Sequence, residues 1–336
     1  MEIVATIRKA HDGRVMKEVY QYLMNLGIYS FRFNFSKAED STEKSKEFVE
    51  SFLSAREVSS KVSTILDIPY PGRKIRINSS FSSIDIVAGD KYYLCSNAEQ
   101  RENGNKHILY LNAILPIESI YIGMSIVYDS GQGEFTITNI RSDGIVEIVA
   151  ENSFTLYNLK SISFGYVEVK EYYQILDSLC EKLHPNKVAL SFINSKDDLH
   201  EAIALKNKYG FSIISKIEAK KGIDNLSEIA TISDGIMLGR GDLCLNSSPS
   251  RLIEYQLVAS RVCREKQREL YFATDFLTSL SNSYMPKRSD IIDLQYAISL
   301  DPTGVILNVE LVTSNGIERA VKFIRDCERT TKFIVC

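Results

Sequence analysis

Eight short apolar runs, rich in β-branched and aromatic residues, recur along the chain at 3–7, 30–35, 63–68, 188–192, 212–217, 235–240, 270–274 and 304–309. Stretches of helical period lie between most of them, for example 14–26, 198–209 and, after the last run, 316–327. Strand-length runs alternating with helices are the pattern of βα units, in which the helix carries the chain back so that the next strand can lie parallel. Eight such units closed by a final helix specify an α/β fold, a (β/α)8 TIM barrel.

The 69–187 stretch between the third and fourth runs is far too long for a βα connection, so a further domain belongs there. Within it, 119–128, 134–140 and 144–151 alternate polar and apolar residues, bounded by turn signals at Asp129-Ser130-Gly131-Gln132-Gly133 and Ser142-Asp143-Gly144. The expected organisation is a barrel from 1–77 plus 165–336, with a small all-β domain at 78–164 inserted after the third strand. A helix from Glu168 onward leads back into the barrel. Catalytic loops follow the carboxyl ends of barrel strands, so an insertion there is placed to act as a lid.

With 336 residues, 44% of them hydrophobic, the chain has enough apolar material for both cores. A formal net charge of -3 provides no global basic field, which argues against nucleic acid or an anionic membrane as the main partner. The opening Met1-Glu2-Ile3-Val4-Ala5-Thr6-Ile7 reads as a first strand rather than a secretory leader, and no apolar run reaches the roughly 18 residues that span a bilayer. Six cysteines, Cys95, Cys180, Cys244, Cys263, Cys327 and Cys336, have no CxxC pair or disulfide-like rhythm, so reduced thiols and a cytoplasmic location are expected. His11, His107, His184 and His200 have no metal-ligand spacing.

Chemistry concentrates at the ends of two runs. In Ile213-Ile214-Ser215-Lys216-Ile217-Glu218, side chains two apart share one face, so Lys216 and Glu218 point the same way. Asp242 follows the end of the next run, in Gly239-Arg240-Gly241-Asp242-Leu243. Two nearby carboxylates raise each other's pKa, and a bound divalent cation is a natural means of keeping both ionised. A metal site beside a lysine is the expectation.

These motifs and several others, in order, resemble the pyruvate kinase family over essentially the whole chain. The match runs through Phe31-Arg32-Phe33-Asn34-Phe35-Ser36 and Leu66-Asp67, and its sharpest parts are Ala189-Leu190-Ser191-Phe192, Ile214-Ser215-Lys216-Ile217-Glu218, Ser233-Asp234-Gly235-Ile236-Met237, Arg240-Gly241-Asp242-Leu243, Ala273-Thr274 and Pro286-Lys287-Arg288. The resemblance implies a phosphotransferase that moves the phosphoryl group of phosphoenolpyruvate to ADP or a related acceptor and leaves pyruvate. It implies that Glu218 and Asp242 hold Mg2+ or Mn2+, a hard cation suited to oxygen ligands, and that Lys216 and Arg32 meet the phosphoryl group. Ser191, Gly241, Asp242 and Thr274 would line the substrate, with backbone amides around Gly241 cradling a carboxylate and Thr274 beside the enolate carbon. It further implies a K+ site from Asn34, Ser36, Asp67 and the backbone of Ile68, and nucleotide contacts from Arg76 and Lys160, with Asp129 as a second lid residue.

Departures from the family pattern cluster on the nucleotide side. The segment Asp67-Ile68-Pro69-Tyr70-Pro71-Gly72-Arg73-Lys74-Ile75-Arg76 is two residues longer than the family's, Lys37 stands in place of a histidine, Asp275 in place of a glutamine and Cys244 in place of a glycine. The acceptor is therefore left open. So is a lyase or aldolase working through a pyruvate enolate on the same metal, and a non-catalytic phosphoenolpyruvate-binding relative. The sequence ends after the eighth helical stretch, so no C-terminal regulatory domain of the family is expected here, and a homodimer through barrel helices is one assembly open to it.

Overall fold

The computed structural model describes residues 1–7, 16–35, 42–69, 72–96, 106–112, 115, 117, 120–168 and 172–331. The chain divides into two compact units: Met1–Pro71, Lys170–Cys244 and Ser248–Cys336 form the first, and Gly72–Val169 with Leu245–Ser247 the second.

In chain order, the first unit opens with β1 (Glu2–Ile7), β2 (Ser30–Asn34) and β3 (Ser63–Ile68). The second contributes β4 (Gly72–Arg76), β5 (Ser83–Ile86), β6 (Lys91–Cys95), β7 (Ile108–Tyr110), β8 (Ser125–Tyr128), β9 (Gly133–Ile140), β10 (Val146–Ala150), β11 (Phe154–Tyr157) and β12 (Ser161–Glu168). The first unit resumes with β13 (Lys187–Leu190), β14 (Ser212–Ile217), β15 (Gly235–Gly239), β16 (Glu269–Ala273) and β17 (Gly304–Leu307).

Strands β1, β2, β3, β13, β14, β15, β16 and β17 close into a ring of parallel strands, each paired with its sequence neighbours and β17 with β1. The chain is a (β/α)8 barrel. Helices Met16–Asn25, Thr42–Val58, His200–Tyr209, Leu252–Lys266 and Arg288–Ser299 supply crossovers, and Ile317–Thr331 follows the last strand. Their buried stripes follow the helical period: in Leu252–Lys266 it is Tyr255, Gln256, Ala259, Ser260, Val262 and Cys263. Inside the ring, Val4, Ile65, Ala189, Ile214, Met237, Tyr271, Ala273 and Ile306 form an apolar core. Because strand side chains alternate, the residues two further along, Thr6, Asp67, Ser191, Lys216 and Gly239, continue the inward column toward the carboxyl rim.

All eight expected barrel runs are strands; three of them, β1, β13 and β16, begin one residue earlier than expected, and the other differences lie at the carboxyl ends. Five runs were read one or two residues too far: β2 stops at Asn34, β13 at Leu190, β15 at Gly239, β16 at Ala273 and β17 at Leu307. In each case the next residues turn out of the ladder; Phe192 and Thr274 adopt positive φ (53° and 83°), and Arg240 and Val309 start helices.

The described residues of the second unit form a seven-stranded sheet in the order β4-β12-β8-β9-β10-β6-β7 and a two-stranded ribbon of β11 and β5. Its own core includes Ile75, Leu94, Ile126, Tyr128, Phe135, Ile148 and Ile162. The expected 78–164 insertion lies inside it, and β4 and β12, paired antiparallel, extend the unit on both sides. The helix expected from Glu168 instead begins at Tyr172, because β12 continues through Glu168 by pairing with Gly72.

Candidate active site

The carboxyl rim of a parallel barrel is where residues from different strands meet, and the inward positions here carry charge. Lys216 on β14 and Asp67 on β3 are buried, with relative exposures of 7% and 2%, as is Glu218 just past β14 at 3%. Charges this deep require partners. Lys216 Nζ donates to Asp67 Oδ1 at 3.1 Å and to Ser191 Oγ at 2.9 Å, and lies 3.2 Å from Glu218 Oε1. Arg32 Nε donates to the other oxygen of Asp67 at 2.7 Å, while Arg32 Nη1 donates to Thr6 Oγ1 at 3.1 Å. The second oxygen of Glu218 accepts the backbone N–H of Phe192 at 2.9 Å.

The ionisation of this cluster follows from its pairing. Burial works to lower the Lys216 pKa, but the carboxylates of Asp67 and Glu218 outweigh it and hold the ammonium above the ordinary lysine value. Burial likewise works to raise the Asp67 pKa, and the cations of Arg32 and Lys216 overcome it, leaving the carboxyl below the usual range. Both groups are charged at neutral pH.

Two glycines make room for the functional side chains. A Cβ on Gly239 would come within 2.7 Å of Glu218 Cγ and 2.9 Å of Oε1, so the carboxylate rests against bare backbone at the end of β15. A Cβ on Gly241 would stand 2.9 Å from Thr274 Cγ2. Asp242 lies in the first turn of helix Arg240–Leu245 and acts electrostatically on Lys216.

Thr274 follows β16 with φ 83°, and Asp275 and Leu277 have φ 59° and 54°. A β-branched residue in this region bears strain of about 1–3 kcal/mol, which neighbouring structure must offset. Burial pushes the Asp275 carboxyl above the usual range against the pull of Arg240. The Arg240 guanidinium donates through Nε to Ala273 O at 3.0 Å and through Nη2 to Thr274 O, and it stacks 3.9 Å from the Phe276 ring centre. Asp293, in helix Arg288–Ser299, receives both Nη atoms at 2.5 and 2.9 Å.

The structure thus brings Arg32, Asp67, Ser191, Lys216 and Glu218 into one connected network, and joins Thr274 to Gly241. Asn34 pairs with Asp67 in the β2–β3 register, and the carbonyl of Ile68 accepts from the N–H and the hydroxyl of Ser191, each at 3.3 Å. Ser36 lies outside the described residues. Arg76 and Lys160 belong to the second unit, where Lys160 forms an ion pair with Asp129 at 2.8 Å and Arg76 pairs with Ser161, the residue after Lys160. Sequence reasoning missed Thr6, the Arg240 side chain and Asp293; no spacing signal links Arg240 to a carboxylate 53 positions away.

Among the described residues, no three His, Cys, Asp or Glu side chains gather as a metal-ligand set. Mg2+ is usually held by only one or two protein carboxylates and completes its shell with water and substrate oxygens. Glu218 and Asp242, hard oxygen donors beside a charged lysine, suit that pattern. Five cysteines, Cys95, Cys180, Cys244, Cys263 and Cys327, are free, and among the described residues no helix is long and apolar enough to cross a membrane.

Compared with known proteins, residues 1–316 match the family described as "Pyruvate kinase, barrel domain". The chain is 28% identical over 329 residues to a pyruvate kinase of Sporosarcina psychrophila, with 94% of this chain and 54% of that protein covered. A pyruvate kinase of Clostridium perfringens is 26% identical over 341 residues, with 96% and 69% covered. One of Chlamydia muridarum is also 26% identical over 341 residues, with 98% and 69% covered. The chain therefore spans between about half and about two thirds of the length of these relatives.

Proposed function

This chain belongs to the pyruvate kinase family, and from that premise we propose that it catalyses phosphoryl transfer from phosphoenolpyruvate to ADP or a related acceptor, giving pyruvate. The observation that carries this reading is the buried Lys216 ammonium, held charged at the barrel rim among Asp67, Ser191 and Glu218. Phosphoryl transfer asks little covalent chemistry of a protein; it asks for positive charge fixed where charge develops, in a site dry enough for that charge to act strongly. Lys216 and Arg32 are two such cations, and Asp67 anchors both against reorientation.

Glu218 and Asp242 would hold Mg2+ or Mn2+, which when bound supplies Lewis-acid stabilisation of substrate oxygens. Backbone N–H groups around Gly241 would receive the substrate carboxylate, and the Thr274 hydroxyl would stand by the enolate carbon to relay a proton. Asn34, Ser36, Asp67 and the Ile68 carbonyl are the candidate K+ ligands, and Arg76 and Lys160 the candidate nucleotide contacts. Because Lys160 is paired with Asp129, a nucleotide phosphate must compete with that carboxylate for it.

The test mixes the chain with Mg2+, K+ and phosphoenolpyruvate against a panel of nucleoside diphosphates and follows pyruvate, then deuterium entry into the pyruvate methyl group. Pyruvate formation that requires an acceptor supports a transferase; methyl exchange without any acceptor-dependent pyruvate formation supports the lyase reading instead. Lys216→Met is expected to lower transfer by at least ~100-fold while Mn2+ binding, read by electron paramagnetic resonance, persists. Undiminished turnover in that variant removes Lys216 from the mechanism.

A further inference from the structure

We propose that Arg240 and Asp293 form a positioning clamp that holds Thr274 in its left-handed backbone conformation and so aims its hydroxyl into the site. The proposal rests on the role given to Thr274 above and adds the machinery that orients it. Three of the four residues from Thr274 to Leu277 have positive φ, and none of the four is glycine, so the segment needs an external restraint. Arg240 touches it at three points: the carbonyls of Ala273 and Thr274 accept from its guanidinium, and the Phe276 ring lies against its face. A planar fork that satisfies two successive carbonyls while stacking on a ring fixes the peptide plane between them.

Asp293 fixes the fork in turn. Its two oxygens take both terminal nitrogens of Arg240, and Gln256 Oε1 stands 3.5 Å from Nη1. The guanidinium is buried, whereas the carboxylate is partly open to solvent. Asp293 comes from helix Arg288–Ser299, and it meets the Thr274 segment through the two hydrogen bonds that it accepts from Arg240. Gly241 completes the arrangement by leaving space for the Thr274 methyl group.

Two variants test the clamp: Asp293→Ala, which frees the fork, and Arg240→Lys, which keeps the charge but cannot satisfy both carbonyls. Crystal structures of both are expected to find Thr274 out of the positive-φ region. Deuterium entry into the pyruvate methyl group is expected to fall ~10- to 100-fold, with KM for pyruvate moved less than ~3-fold, as befits misaimed rather than lost contacts. Asp293→Glu, which keeps the carboxylate, should recover much of the exchange. Where Asp293→Ala fails to fold, Arg240→Lys carries the test. Unchanged φ at Thr274 together with wild-type exchange in a folded variant overturns the proposal. Should the wild-type chain neither form pyruvate nor exchange methyl protons, the functional reading fails, and the Thr274 backbone in the two variants still decides the clamp.

Discussion

Lys216 and Glu218 are two apart on one strand, so their common direction follows from the pleat alone. The partner that neutralises Lys216 does not: Asp67 is 149 positions away and meets it only because the ring closes β3 next to β13 and β13 next to β14. The sign of the pH dependence follows from this pairing. Asp67 has a lowered folded pKa, so its stabilisation is complete above the ordinary carboxylate value near ~3.9 and fades as pH falls through the lower folded value. Lys216 has a raised one, so its stabilisation is complete below about 10.4 and fades only as pH climbs past that. Asp67→Asn leaves a buried ammonium short of a counter-charge and is expected to cost ~3–5 kcal/mol, constant from about pH 5 to pH 9 and shrinking toward pH 3. Urea unfolding across that series measures it, and a gap that widens in acid contradicts the assignment.

Elements place these residues by where they stop. The barrel runs were legible from their apolar character, but five of their ends were not, because Phe35, Ser191, Phe192, Arg240, Thr274, Asn308 and Val309 extend the run in the sequence while the backbone has already left the ladder. Those exits turn side chains into the rim. The start of helix Arg240–Leu245 and the exit of β16 interlock through Gly241 and Thr274, so a methyl group between them has nowhere to go. Gly241→Ala is expected to destabilise by about 1–3 kcal/mol and to lower methyl exchange ~10-fold. Thermal denaturation and the exchange assay read the two effects, and a neutral outcome in both shows that the contact yields easily.

At the level of the whole molecule, two cores are built by different patterns. The barrel buries a ring of inward residues from parallel strands, whereas the second unit buries the alternate residues of strands that pair antiparallel except for β6 with β7, with Phe135 fully buried against Tyr92 and Phe154. Phe135→Ala is expected to cost that core about 3–5 kcal/mol, read as faster amide exchange in β8, β9 and β10; unaltered protection there would mean the cavity collapses without loss. Of the nine strands among this unit's described residues, three were legible beforehand. Strands such as β5, β7 and β11 have four or three residues each and owe their form to cross-strand partners, and short segments carry too little period to be recognised alone.

The sequence by itself determined the eightfold βα rhythm, the presence of an insertion and the common direction of Lys216 and Glu218 on one strand, since periodicity and residue type are local properties. Only the tertiary structure decided which charges neutralise one another, how Arg32 and Lys216 divide the two oxygens of Asp67, and that a remote Asp293 holds Arg240 on the Thr274 loop. Those pairings depend on ring closure, which brings together residues that the chain keeps far apart.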